Sequence, residues 1–261
     1  MDPQMPDHLP DWLAGLGSRP CRYYRRIGST NDEAAAWALA GAPSGAVVLA
    51  EEQTAGRGRR GRAWVAAPET SLLVSVILRP AVSPEALPRL TLMGAVAVAE
   101  VLAAEGLSPG IKWPNDVLLQ GRKVAGILAE VAWSGDERSA VILGIGVNVR
   151  RGALSEAAAA HFGATTVEAT LGRVPDRGRL LLRLLERIDC WQARLADEAL
   201  LAAWRQYSIT LGKRVTVTSG EGVVAGVAEG VDFQGALLLR TDDGSVRRLL
   251  AGDVTLHGDG L

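Results

Sequence analysis

Apolar and polar positions change rhythm several times along the chain, and each change predicts an element. Asn31 to Ala40 is Ala-rich with helical spacing, and Gly41 and Pro43 end it. Ala46 to Glu51 reads as a buried strand, a Gly/Arg loop runs on through Arg62, and Ser71 to Leu78 is β-like. Pro84 to Glu105 keeps a long helical period, with Leu87, Leu90, Val98 and Leu102 among its apolar positions. Val117 to Gln120 and Lys123 to Trp133 flank a Gly121-Arg122 turn and predict a hairpin. Arg138 to Val149, reached through Ser134-Gly135-Asp136, adds a third strand. Arg179 to Tyr207 returns to helix, with Leu181, Leu184, Leu185, Ile188, Trp191 and Leu195 on its apolar side.

After Lys213 the pattern changes again. Val215-Thr216-Val217, Gly222 to Val227, Ala236 to Leu239 and Val246 to Leu250 are short strands between Gly/Asp turns. About five such strands in about fifty residues make a small barrel. Strands in meander order, with helices set apart from them, predict an α+β fold with a mainly antiparallel sheet. The expected division is a loose leader over 1–20, a main domain over 21–210 and a small β domain over 211–261, with the boundary near Ser208 to Gly212.

Composition narrows the function classes. An apolar share of 48% is ample for a buried core, and a formal net charge of −1 gives no global basic field toward nucleic acid or membrane. Cys21 and Cys190 match no disulfide or metal spacing, and His8, His161 and His257 are too scattered for a zinc set. The first twenty residues lack a secretory pattern and are too short for a helix-turn-helix, so DNA binding is not expected. Ala95 to Ala104 contains Glu100 and is too short to span a bilayer. A soluble, cytoplasmic protein is expected.

Gly56-Arg57-Gly58-Arg59-Arg60-Gly61-Arg62 contains a literal G-x-G-x-x-G after a strand. A dinucleotide loop requires a helix immediately afterwards and an acidic residue about 20 positions further on. Here the loop runs into Trp64, Pro68 and a β-like segment, so that reading fails. Four arginines on a flexible backbone suit small-anion binding, since guanidinium groups grip phosphate or carboxylate in bidentate fashion. A solvated basic loop and an RNA-binding patch are the alternatives.

Three further constellations carry chemistry. Ser29-Thr30-Asn31 opens the first helix, where Thr30 and Glu33 have capping-box spacing and exposed hydroxyls or amides can also bind a polar ring substituent. Lys112-Trp113-Pro114-Asn115-Asp116 has ordinary turn chemistry in Pro-Asn-Asp, but the turn explains neither Lys112 nor Trp113. Lys123 starts an otherwise apolar strand that holds Glu130, and Gly144-Ile145-Gly146-Val147-Asn148 puts glycines inside another.

In this order, Ser29 to Asn31, Gln53 to Gly61, Lys112 to Asp116, Lys123 to Leu128 with Glu130, and Gly144 to Asn148 resemble the successive motifs of biotin–protein ligases. The resemblance runs from about Tyr24 to Val149, and the C-terminal segment resembles that family's SH3-like domain. It implies a class II synthetase-like catalytic domain of the ligase-only type, lacking the helix-turn-helix that many members carry. It further implies that Ser29, Thr30, Asn31 and Gln53 contact biotin, and that Arg57, Gly58 and Arg59 order over biotin and its adenylate. Lys123 would hold the biotin carboxylate and α-phosphate, with Arg59, Lys112 and Asp116 also catalytic. Arg57, Arg59, Lys112, Asn115 and Asn148 would face the nucleotide, and Trp64 would stack on adenine. ATP and biotin are the implied substrates, with Mg²⁺. The partner is a biotin carboxyl carrier domain, and the enzyme a monomer or homodimer. Lipoate–protein ligases share the fold and chemical logic, but the Gly/Arg loop and Lys112 to Asp116 favour biotin.

Overall fold

Seven runs of alternating or continuous apolar residues pair into one sheet in the computed structural model, which describes residues 10–81, 83–135, 137–154, 159–160, 163–220 and 222–257. The strands are β1 (Cys21–Ile27), β2 (Val47–Gln53), β3 (Ser71–Leu78), β4 (Pro109–Lys112), β5 (Asp116–Leu119), β6 (Arg122–Ser134) and β7 (Glu137–Asn148). Their order is β1-β2-β3-β7-β6-β5-β4, and every pair is antiparallel except β1 with β2. That exception follows from the chain path. Helix α1 (Thr30–Leu39) is the crossover between β1 and β2, and a strand that returns through a helix returns parallel. The expected α+β class with a mainly antiparallel sheet flanked by helices is therefore observed.

The two faces of the sheet are covered differently. Helix α2 (Pro88–Ala104) is buried almost all round, because it lies on β6 and is itself covered by α4 (Arg177–Gln192) and α5 (Glu198–Tyr207). A short helix α3 (Val167–Leu171) precedes α4. Helix α1 covers the opposite face and packs on β2, β3, β6 and β7 around Ala34, Ala38, Leu73 and Ile77.

Three expectations change. The continuous helix expected from Arg179 to Tyr207 is two helices. The fully buried Arg89 guanidinium takes the carbonyls of Leu195 (2.7 Å) and Asp197 (2.6 Å), which a continuing helix would use internally. The helix expected over Pro84–Glu105 starts as a 3₁₀ turn at Pro84–Ala86, with α2 proper opening at Pro88. The described part of the leader is packed rather than loose. Asp11–Leu16 forms a 3₁₀ helix whose Trp12 meets Tyr23 edge-on at 5.9 Å and lies against Gly178 of α4. Residues 1–9, with His8, and also Asp136 and His161, lie outside the described residues.

The C-terminal segment forms a second sheet. It comprises β8 (Arg214–Ser219), β9 (Gly222–Val231), β10 (Leu237–Arg240), β11 (Val246–Leu249) and β12 (Asp253–Leu256) in the antiparallel order β11-β10-β9-β8-β12. Trp113 joins it to the main domain. The indole is 1% exposed, its Nε1 donates to Gly235 O (3.2 Å), and its backbone N donates to Thr210 Oγ1 (2.9 Å). Trp113 is thus a buried joint between the two sheets, which the turn chemistry around it did not explain.

Candidate active site

On the α1 side of the sheet, β7 presents Gly144 and Gly146, and β6 sets Gly126 opposite Gly146. A methyl group at Gly144 would overlap the Asn31 amide, and one at Gly146 would sit 2.5 Å from the Trp64 ring. The backbone floor is therefore open to side chains approaching from α1 and from the Gly/Arg loop.

Above this floor the first turn of α1 is held by a chain of hydrogen bonds. Ser29 is the N-cap and accepts from Asp32 N at 3.5 Å. The expected Thr30–Glu33 capping box does not form. Glu33 accepts instead from Arg22 (2.5 Å) and from the Tyr24 hydroxyl (2.9 Å). With the cap supplied by Ser29, Thr30 is released for the site, and its N and Oγ1 both donate to Gln53 Oε1 (2.8 and 3.0 Å). Ser75 Oγ lies 2.6 Å from Asn31 Oδ1 and 2.8 Å from Thr30 Oγ1, while Asn31 Nδ2 donates to Glu130 Oε2 at 2.6 Å. Ser29, Thr30, Asn31 and Ser75 are all buried.

The Gly/Arg loop is a tight hairpin, with Arg57 bridging to Ala63, Gly58 N donating to Arg62 O (2.7 Å) and Trp64 N to Gly56 O (2.9 Å). Its arginines diverge. Arg57 pairs with Asp32 (2.6 Å) and Glu130 (2.9 Å), and the Glu130 hydrogen bond raises the Arg57 pKa further above its usual value. Arg59 donates to Asn115 Oδ1 (3.2 Å) and Gly252 O (3.1 Å). Burial lowers its pKa against the pull of Asp253 and Asp116, yet a guanidinium stays charged. Trp64 rests on Gly126 and Gly146 with its Nε1 buried and unpartnered. Its indole thus fills the glycine floor, whereas a cleft of about 320 Å³ opens elsewhere, beside Arg59 between Leu92, Pro114, Val131 and Leu250.

Lys123 reaches the floor through a register shift. A bulge between β5 and β6 at Val117/Leu118 re-phases β6, so Lys123 shares a face with Gly126. Its ammonium lies 2.6 Å from Asp116 and 5.7 Å from the Trp64 ring centroid, and Lys112 stands 3.6 Å from the same aspartate. Asn115 Nδ2 donates to Ile127 O (3.1 Å), which leaves its oxygen toward Arg59. At the far end of the floor, Asn148 Nδ2 donates to Thr165 O (3.3 Å), and its Oδ1 is buried without a partner. Ser71 Oγ, across the ladder from Asn148, is likewise buried and unpartnered. Two orphaned buried oxygens side by side are the kind of group a ligand satisfies.

The structure brings Thr30, Asn31, Gln53, Arg57, Gly58, Trp64, Lys112, Asn115, Asp116, Lys123 and Asn148 to one side of the sheet, with Ser29 beneath as cap, while Arg59 bridges Asn115 and the small sheet and lines the cleft beside α2. Sequence reasoning missed Ser71, Ser75, Asp32 and the Gly252–Asp253 turn, and did not place Glu130 in the site. Ser75 and Glu130 had a signal, as single polar residues inside apolar strands.

A strip of buried polar groups, a lysine-flanked aspartate and an arginine hairpin on an α+β scaffold have the chemistry to hold a substrate that carries anionic groups. Comparison with known proteins agrees. Residues 23–148 match the Biotin/lipoate A/B protein ligase family and residues 210–256 the Biotin protein ligase C terminal domain. The biotin–[acetyl-CoA-carboxylase] ligase of Mycobacterium tuberculosis is 40% identical over 259 residues, covering 94% of this chain and 93% of that one. The Paracoccus denitrificans enzyme of the same name is 40% identical over 227 residues, covering 82% and 92%. The solved biotin protein ligase of Aquifex aeolicus, in complex with biotin and ATP, superimposes with a TM-score of 0.77 at 28% identity, covering 91% of this chain and 98% of that one. The chain belongs to the biotin/lipoate protein ligase family.

Proposed function

We propose that the chain activates biotin with ATP and transfers it to a lysine of a biotin carboxyl carrier domain. The biotin carboxylate attacks the α-phosphorus of ATP, forming a mixed anhydride and expelling pyrophosphate. The ε-amine of the acceptor lysine then attacks the acyl carbon, and AMP leaves with the bonding pair. The observation that carries this reading is the position of Lys123, a cation over the glycine floor between the neutral Thr30–Asn31–Gln53 relay and the orphaned oxygens of Asn148 and Ser71.

From that position Lys123 offsets charge on both reacting anions, with Lys112 and Arg59 assisting. Thr30, Asn31, Gln53 and Ser75 supply neutral donors and acceptors for the ring of biotin. Asn148 and Ser71 read the base. Trp64 leaves the floor when biotin enters and stacks on the nucleotide. Asp116 is the carboxylate that fits Mg²⁺, which needs one or two carboxylates beside substrate phosphates rather than a protein cage. Bound there, the ion would neutralise phosphate charge. Among the described residues no cluster of three or more His, Cys, Asp or Glu forms a metal cage, and no helix is long and apolar enough to cross a membrane. A reducing cytoplasm is the compartment this reading fits. The test is ATP–pyrophosphate exchange, expected with biotin present and absent with lipoate or with neither; exchange driven by lipoate alone would overturn the reading.

A further inference from the structure

We infer that the Gly252–Asp253 turn of the small C-terminal sheet is a latch for the Gly/Arg hairpin, and that Asp253 is a positioning residue that keeps the acyl-adenylate in place. The adenylate half of this rests on the function proposed above. The latch itself rests on geometry alone.

Arg59, Arg60 and Arg62 of the hairpin all end on one small patch. Arg59 Nη1 donates to Gly252 O at 3.1 Å, Arg60 Nη1 to Thr218 O at 2.9 Å, and Arg62 Nη2 meets Asp253 Oδ2 at 2.5 Å, with Arg60 Nη1 3.4 Å from the same oxygen. The patch is fixed by strand pairing. Asp253 and Thr218 are ladder partners of β12 and β8, and a side chain at Gly252 would collide with Val217. The hairpin, by contrast, carries four arginines within seven residues, and Arg60 sits at φ 56°, a backbone region that non-glycine residues avoid. Self-repulsion and that strained residue both favour opening. Asp253 offsets them, because one of its carboxylate oxygens faces both Arg60 and Arg62, while the Thr218 and Gly252 carbonyls accept from Arg60 and Arg59.

The opposite end of the hairpin is held differently, by Arg57 against Asp32 and Glu130 of the main domain. The loop is therefore strapped between the two sheets across the site. Releasing the small-domain end frees the tip that carries Arg59, and with it the cover over the adenylate. A half-exposed ion pair contributes little singly, so removing Asp253 should raise the open population about threefold to tenfold rather than unfold the site.

The deciding measurement is hydrogen–deuterium exchange of the 56–62 peptide in the ligand-free protein. Asp253→Asn should exchange about threefold to tenfold faster there, Asp253→Glu should restore most of the protection, and exchange of α1 should not change. Arg62→Gln tests the same contact from the loop side and leaves the small sheet intact, so a folding defect in Asp253→Asn cannot mimic the result. Each variant is then given biotin, ATP and an unrelated lysine-rich protein, where biotin on the bystander should rise by a similar factor. Exchange equal to the unmutated protein in both variants would overturn the latch. Faster exchange with no rise in bystander labelling would overturn its role in retention. A protein that shows no biotin-dependent pyrophosphate exchange would defeat the proposed function instead, and the 56–62 result would still decide the latch.

Discussion

The floor and the hairpin of this site are built from opposite materials. The floor is backbone glycine framed by neutral side chains, the buried Thr30, Asn31 and Ser75 and the half-buried Gln53, which pair with one another at 2.6–3.0 Å, with Asn31 also donating to Glu130. The hairpin is cationic, largely exposed, and held by carboxylates from both sheets. Buried neutral hydrogen bonds fix geometry because breaking one strands a polar group away from water. Exposed ion pairs are weak and screened, so they suit a part that must open to admit biotin and ATP and to let the acceptor lysine in. On the proposed function, recognition belongs to the first material and access to the second.

Lys123 lies where the two meet, and its loss should have the largest effect. Lys123→Ala should lower biotin-dependent pyrophosphate exchange by about a hundredfold or more, on the scale of a removed charge-stabilising donor. Exchange at the unmutated rate would take Lys123 out of the reaction. The floor comes next. At Gly144→Ala the new methyl overlaps the Asn31 amide, which must leave the relay or distort β7. Overpacking on this scale costs about 1–3 kcal/mol, so biotin affinity by titration calorimetry should fall roughly tenfold or more. Ser75→Ala removes the hydroxyl that lies between Asn31 and Thr30 and should weaken biotin about threefold to tenfold, with little change in the KM for ATP. Equal effects on biotin and ATP would mean the floor is not divided as proposed.

These regions were unequally legible in the sequence. The glycines of β7, the Gly/Arg run and the lysines stood out because glycine inside a strand and charge beside apolar runs break a local pattern. Ser75 and Glu130 left the same kind of trace, but their partners lie on other elements. The face that Lys123 occupies depends on a bulge, and one residue of register turns a side chain to the opposite side. The sequence alone could not set that. The contacts of Arg59 and Arg60 with the small sheet join residues 193 and 158 positions apart, beyond any local rule. The break between α4 and α5 escaped for the same reason, since its cause is Arg89, more than a hundred positions earlier.

Salt should separate the two materials without any mutation, though by the smallest margin. Raising ionic strength from about 0.1 M to about 1 M shortens the screening length from about 10 Å to about 3 Å. The hairpin's pairs span 2.5–3.4 Å, but their side chains are partly open to solvent and the repulsion among four arginines acts over longer distances. Screening weakens the attraction and the repulsion together, so the net change is modest. The attraction is the stronger of the two, because Asp32, Glu130 and Asp253 each lie within direct contact of a guanidinium. Amide exchange over 56–62 in the ligand-free protein should therefore quicken about twofold to threefold across this range. The Thr30 amide, bonded to the neutral Gln53 carbonyl, should keep its rate. A hairpin that exchanges more slowly in high salt would show that repulsion among its arginines dominates, and the division between a fixed floor and an ionic cover would have to be redrawn.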